Sequence, residues 1–347
     1  MELVTEPRLR EIIEQITPYL DSSRAPAVRQ PPADPVARDA WFAEVTADRA
    51  KQQARMAQMG GGSGSTRPTV EGVDVTEVRI PVAGTCGWSG CAECAAGSIN
   101  AIVYRPAGVS DAPAYLHFHG GGFWVGGGLD VLRGSAAVHG TRARELGAVV
   151  IDVDYRMAPD HKFPLPVEDC YTALTWVAGN AERLGVDATR LAVGGGSAGG
   201  SLAAAVALMS RDRGGPALCA QVLNIPVTGS GCNTASMRLF AVGYVMTRQN
   251  ALEMWEMYLA SPADAYEPYA SPMHASSLRG LPPALVILGD YDVLRDEGSA
   301  YARRLVDDGV TVTMRRLPQC HGAALPENGP ETERLTDAFL RANLRRP

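Results

Sequence analysis

Leu191-Ala192-Val193-Gly194-Gly195-Gly196-Ser197-Ala198-Gly199-Gly200-Ser201-Leu202-Ala203-Ala204-Ala205 is the stretch on which the fold turns. A short apolar strand runs into a cluster of glycines and leaves as an alanine-rich helix. Inside it stands Gly195-x-Ser197-x-Gly199. A chain that reverses from strand to helix this sharply forces its central residue into a strained conformation. It also needs small neighbours, so that the helix can lie back on the strand. Ser197 then sits at a helix N-terminus, where the dipole favours developing negative charge. A glycine turn can also cradle phosphate. A P-loop would carry Gly-Lys-Ser or Gly-Lys-Thr, which is absent, and a dinucleotide turn wants an acid about 20 residues on. Asp212 comes too early, at the end of the same helix.

Outward from this turn, short apolar runs alternate with helical stretches. Val73–Val82 and Ile99–Tyr104 read as a hairpin with a cysteine-rich insert between its arms. Six further runs follow, at 115–118, 149–153, 191–193, 222–225, 285–288 and 310–317, and helices are expected near 167–184 and 201–211. This alternation predicts an α/β fold, a mostly parallel eight-stranded sheet with helices on both faces. In such sheets the site lies beyond the carboxyl ends of the strands.

Three groups with matching chemistry stand at those ends. His117-Phe118-His119-Gly120-Gly121-Gly122-Phe123-Trp124 follows the third strand. Its glycines let backbone N–H groups approach a substrate oxygen, and each such donor is worth about 2.7–4 kcal/mol to an oxyanion. His119 reads as a support for this loop, bonded to backbone, rather than as a base. A serine nucleophile needs a base and the base an orienting carboxylate. Downstream of Ser197 only His274 and His321 remain, and His321 follows the last strand. After the strand ending at Leu288, position alone does not separate Asp290 from Asp292, whereas Asp296 and Glu297 read as first-turn helix acids. The order Ser, Asp, His is that of α/β hydrolases.

With these residues in place, the chain resembles the bacterial hormone-sensitive-lipase-like (family IV) α/β-hydrolase esterases from about Val70 onward. The likeness rests on His119-Gly-Gly-Gly-Phe123, Asp154-Tyr-Arg-Met-Ala-Pro159, Gly195-Gly-Ser197-Ala-Gly-Gly200, Leu281-Pro-Pro-Ala284, Asp292-Val-Leu-Arg-Asp-Glu-Gly298 and His321-Gly322. It implies Ser197 as nucleophile, Asp292 as acid and His321 as base, with an oxyanion hole from the N–H groups of Gly121, Gly122 and Ala198. It implies a helical cap from the N-terminal segment and an insertion near 233–264. Phe123, Trp124, Met237, Phe240 and Tyr244 are candidate substrate-pocket residues there. The activity implied is that of a serine carboxylesterase on small to medium carboxylic esters, with no metal or organic cofactor. Lactone or amide hydrolysis on the same triad and a non-catalytic receptor are the rival readings. Relatives often dimerise through the last edge strand, so a homodimer is an open expectation. The chain departs from the family at Gly196, where Asp is usual, at Ser201 for Asn, and at Ala323 for an aromatic residue. All three are smaller, which suggests a roomier site. Arg156 with Glu168 or Asp169 reads as a buried ion pair behind the site.

Composition agrees with this and removes other classes. The 347 residues are 46% hydrophobic and carry a net charge of −6, so there is no basic surplus to neutralise a phosphate backbone. Residues 1–69 read as two polar helices and a glycine-rich linker, Gly60-Gly-Gly-Ser-Gly-Ser65, ahead of a catalytic domain from 70 to 347. The acidic and basic residues of the first twenty positions interrupt any apolar leader, and no 18-residue apolar run exists, so a cytoplasmic location is expected. Of seven cysteines, Cys86, Cys91 and Cys94 crowd together, and no fourth ligand nearby would complete a zinc site. Free structural thiols are expected.

Overall fold

The computed structural model describes residues 69–82, 97–324 and 329–345, with scattered helical positions between 34 and 54. Nine strands form one sheet: β1 (Val73–Val82), β2 (Gly97–Pro106), β3 (Ala112–Phe118), β4 (Val149–Asp154), β5 (Val186–Gly196), β6 (Leu218–Asn224), β7 (Ala284–Tyr291), β8 (Val312–Cys320) and β9 (Ala323–Ala324). Their order is β1-β2-β4-β3-β5-β6-β7-β8-β9. The expected hairpin is present, with Val73 opposite Pro106 and Val82 opposite Gly97. From β4 through β8 every pairing is parallel. The eight strands read from the sequence are therefore all there. The ninth has two residues, too short for any alternation pattern to announce.

Alternate residues of each central strand enter opposite cores, as the pleat requires. Leu116, Ile151, Val193 and Val286 join one buried cluster with Leu202 and Val206 of helix α3 (Ala198–Asp212) and Leu174 of α2 (Leu165–Gly179). Tyr115, Val150, Ala192 and Leu285 join the other, with Ala136 and Ala143 of α1 (Ala136–Leu146) and Leu340 of the C-terminal helix Gly329–Asn343. Burial on both faces is what makes these strands continuous apolar runs. Helix α3 is buried from Ala198 to Ser210, because its glycines and alanines let it lie close to β5.

Between β6 and β7 the chain carries α4 (Ala235–Leu239) and α5 (Arg248–Tyr258), inside the expected 233–264 insertion. Thr234 caps α4, and Thr247 with Asn250 forms a capping box on α5, which explains why helices start there. After β7 comes α6 (Arg295–Asp307), with Asp296 and Glu297 in its first turn as expected.

The second of the two helices expected within residues 1–69 is represented by scattered helical positions from Val36 to Ala54. Its Arg49 meets the Asp160 carboxylate and donates to the Ala158 carbonyl at 2.5 Å. The first N-terminal helix, the Gly60–Ser65 linker and Cys86, Cys91 and Cys94 lie outside the described residues.

Candidate active site

Strand register brings the separate motifs together. Phe118 pairs with Gly195 between β3 and β5, so the turn after Phe118 and the turn after Gly196 emerge side by side. A Cβ on Gly120 would lie 3.0 Å from the Gly196 carbonyl oxygen and 3.6 Å from Ser197 Cβ. On the other side, Tyr291 pairs with Cys320 between β7 and β8. The residues that follow them are Asp292 and His321.

Ser197 has φ 56° and ψ −120°, a conformation that costs of order 1–3 kcal/mol. The surroundings impose it. Its N–H donates to the Asn224 carbonyl at 2.9 Å, and its carbonyl accepts from Ser201 and Val227 at 3.1 and 3.3 Å. The flanking glycines are required by space. A Cβ on Gly199 would fall 1.9 Å from the Phe118 carbonyl oxygen, and one on Gly195 would fall 2.3 Å from the same atom. Gly196 differs, because its nearest neighbour would be Asn224 Nδ2 at 3.8 Å. A Cβ at 196 would thus sit in ordinary contact without overlap, unlike one at 195 or 199. Ser201 is buried in α3, and the Ala323 side chain lies outside what is described.

His321 Nε2 is 2.9 Å from Ser197 Oγ, and His321 Nδ1 is 2.9 Å from Asp292 Oδ2. Asp292 is 1% exposed, and its other oxygen accepts from the Leu294 N–H at 2.8 Å. An imidazole held between a buried carboxylate and a hydroxyl can accept the hydroxyl proton on Nε2 while Nδ1–H stays bonded to the carboxylate. The structure also separates the acids that position alone left open. Asp290 pairs with Arg316 on β8, Asp296 pairs with Arg295 and accepts from the Ser236 N–H, and Glu297 accepts from the Thr228 N–H. His274 is exposed and faces Tyr266 instead.

The glycine turn after β3 is braced from below. Tyr155 donates its hydroxyl to the His119 carbonyl at 2.9 Å and stacks on the His119 ring at 4.1 Å. His119 Nδ1 is bonded to the Gly120 carbonyl at 2.8 Å, and burial keeps its pKa low. It is a loop support, as expected. Gly121 and Gly122 have positive φ, and the Gly121 carbonyl accepts from Trp124 and Val125. Their own N–H groups and that of Ala198, the first residue of α3, have no backbone acceptor among the described residues. An oxygen anion placed beside Ser197 could take up such donors.

Among the described residues the thiols are poor competing nucleophiles. Cys170, Cys219, Cys232 and Cys320 are free thiols, and burial pushes Cys232 and Cys320 up to about 12. A thiol so raised supplies little thiolate at neutral pH.

This chain matches the alpha/beta hydrolase fold family over residues 115–325. The chain belongs to that family. It is 37% identical over 280 residues to the carboxylic ester hydrolase LipN of Mycobacterium tuberculosis, covering 79% of this chain and 68% of that one. It is 35% identical to an arylesterase of Saccharolobus solfataricus, covering 70% of this chain and 78% of the other. Among solved structures, the Pyrobaculum calidifontis esterase matches with TM-score 0.77 and 34% identity, over 97% of this chain and 98% of that one. The motifs place the hydrolase in the hormone-sensitive-lipase-like branch, and it is a carboxylic ester hydrolase by family.

The candidate pocket residues of the hydrolase are mostly interior. Phe123 is 0% exposed and stacks on Tyr258 of α5 at 3.8 Å, while Trp124 packs with Val125, Ala158 and Met257. Met237 and Phe240 are buried, and Phe240 packs edge-on against Tyr244, which stacks on Tyr291 beside Asp292. Of this set, Tyr244 alone is partly exposed. Met254 of α5 reaches the glycine turn after β3, since a Cβ on Gly122 would meet its Cγ at 3.2 Å. A cavity of about 1070 Å³ opens past α5, with Lys162, Trp255, Met273 and Glu297 among its walls but not Ser197 or His321.

Sequence reasoning passed over Tyr155 and Asp154 as parts of the site. Asp154 accepts from the Gly128 N–H at 2.7 Å and so holds the far end of the glycine loop. The Asp-Tyr-Arg run was visible, but only its arginine had been given a part. That part holds: Arg156 binds both oxygens of Asp169, at 2.8 and 2.7 Å, while Glu168 pairs with Arg213.

Proposed function

We propose that this hydrolase cleaves small to medium carboxylic esters through an acyl-enzyme on Ser197, with His321 as base, Asp292 as orienting acid and the N–H groups of Gly121, Gly122 and Ala198 as oxyanion hole. The observation that carries the reading is His321 bridging Ser197 Oγ and Asp292 Oδ2 at 2.9 Å on each side. His321 Nε2 takes the Ser197 proton as Oγ attacks the ester carbonyl carbon. The carbonyl electrons move onto oxygen and meet the three donors. His321 then gives its proton to the departing alcohol oxygen as the C–O bond breaks. Water, deprotonated by His321, attacks the acyl carbon, the acid leaves, and Ser197 recovers its proton.

Residues 1–69 and the insertion near 233–264 form the cap in this reading, and α5 over the oxyanion turn supports that part of it. The smaller Gly196 and Ala323 favour bulkier acyl or alcohol groups. Strand β8 has a partner strand on its outer side only at Gln319 and Cys320 among the described residues, so two copies could pair along its open edge. No described helix is long and apolar enough to cross a membrane.

A fluorophosphonate probe tests the mechanism. The wild-type enzyme should label at one site and lose activity, and Ser197→Ala should not label. Undiminished labelling of Ser197→Ala would sink the assignment. A panel of esters, lactones and amides with kcat/KM for each separates the ester reading from the other acyl substrates.

A further inference from the structure

On the sheet face opposite α3, three metal-ligating side chains converge that the reaction above does not use. His117 lies on β3 and Asp152 opposite it on β4, a parallel pair whose side chains share one face. His139 comes down onto them from α1, one turn after Ala136 and one before Ala143, both of which face the sheet. His117 Nδ1 is 2.8 Å from Asp152 Oδ1, and His139 Nε2 is 3.4 Å from Asp152 Oδ2. The two imidazole rings have centroids 4.6 Å apart. One ligand atom from each residue lies within 4.8 Å of the others.

Packing alone leaves this cluster poorly satisfied. His139 is 3% exposed, yet neither of its ring nitrogens has a hydrogen-bond partner among the described residues; the approach to Asp152 is close but misaligned. The Tyr104 hydroxyl, fully buried beside the His139 ring, is likewise without a partner among them. Buried polar atoms are bonded in the great majority of cases, and those that are not call for an explanation.

We infer that His117, His139 and Asp152 form a binding site for a borderline divalent cation of the zinc class, on the back of the strand that feeds the oxyanion turn. Two imidazole nitrogens and one carboxylate oxygen are a donor set that suits zinc, with a water in the fourth position. Bonds of about 2.0–2.1 Å put tetrahedral ligand atoms roughly 3.3 Å apart, so His117 Nδ1 and Asp152 Oδ1, now at 2.8 Å, would part slightly while the wider separations, up to 4.8 Å, would close. His117 keeps 22% of its side chain exposed and supplies the way in, while the other two are enclosed. Such an ion would tie α1 to β3 and β4. It stands apart from Ser197, whose chemistry needs no metal.

The test uses tag-free, full-length enzyme stripped with a chelator and then given zinc chloride. One equivalent of zinc should remain through gel filtration and raise the melting temperature. Asp152→Asn and His139→Ala should each weaken binding more than about 100-fold, beyond the 10–100-fold typical of outer-shell changes. His321→Ala should bind as the wild type does. Because the buried variants could fold poorly, cobalt chloride added to the wild type gives an independent readout: the visible absorption of a four-coordinate cobalt complex, displaced by one equivalent of zinc. No retained zinc, a cobalt spectrum of the hydrated ion only, or binding lost in His321→Ala would each overturn the site.

Discussion

Replacing Asp292 by Asn tests the triad with little change of shape. The Asp292 carboxylate has two fixed neighbours: the Leu294 N–H at 2.8 Å on Oδ1 and the His321 ring nitrogen at 2.9 Å on Oδ2. An asparagine has one oxygen and one NH₂. The backbone N–H needs an acceptor, so the amide oxygen is drawn to Leu294 and the NH₂ is turned to His321 Nδ1. Nδ1 must then become the acceptor, and the ring proton moves to Nε2, which faces Ser197 Oγ at 2.9 Å. A protonated Nε2 cannot take the serine proton. In serine hydrolases with the same three groups this change lowers kcat about 10⁴-fold with the geometry intact. That is about 5.4 kcal/mol at 1.36 kcal/mol per tenfold. The assay is steady-state hydrolysis of a p-nitrophenyl ester by Asp292→Asn, with kcat and KM separated and the melting temperature measured. The expected result is a collapse of kcat with KM within a few-fold and an unchanged fold. A kcat within tenfold of wild type, in a folded variant, would refute the assignment of Asp292.

The glycines around Ser197 should respond unequally: Gly199→Ala, whose Cβ would overlap the Phe118 carbonyl oxygen at 1.9 Å, should lose both activity and thermal stability. Gly196→Ala, whose Cβ would make an ordinary contact with Asn224 at 3.8 Å, should fold normally, and a comparable melting loss at both sites would contradict the packing described. Arg156→Ala leaves the Asp169 carboxylate, 1% exposed, without its cation, and should cost about 3–5 kcal/mol of stability, read from the urea midpoint. Glu297 gives a pH signature. Burial raises it from 4.5 to about 8, so the folded state holds a proton that the unfolded chain releases near 4.5. Its contribution to stability therefore falls as pH rises from about 4.5 to about 8. Glu297→Gln should remove that fall, so the melting temperature of the variant gains on wild type between pH 5 and pH 8. A constant difference would mean that Glu297 is ionised throughout.

Much of this hydrolase was legible in one dimension, for a physical reason. A parallel sheet buried on both faces demands unbroken apolar runs, and a reversal from strand into helix demands glycine where a Cβ would strike backbone. Both constraints mark contiguous stretches of the chain, so Leu191–Ala205, His119–Phe123 and the order of serine, carboxylate and histidine carry the fold and the reaction class openly. What depends on partners distant in sequence was not legible. Position alone left Asp290 and Asp292 alike, and only the family resemblance chose Asp292. Pairing of Tyr291 with Cys320 is what sets Asp292 beside His321 and leaves Asp290 to Arg316. Glu168 and Asp169 were equally good partners for Arg156 until α2 turned one inward and the other toward Arg213. The cluster of His117, His139 and Asp152 had no sequence signature at all, because its members come from two strands and a helix. The sequence by itself determined which chemistry was possible and in what order its groups occur. Only the tertiary structure decided which side chains meet, because strand register and helix rotation, rather than spacing along the chain, set the distances between them.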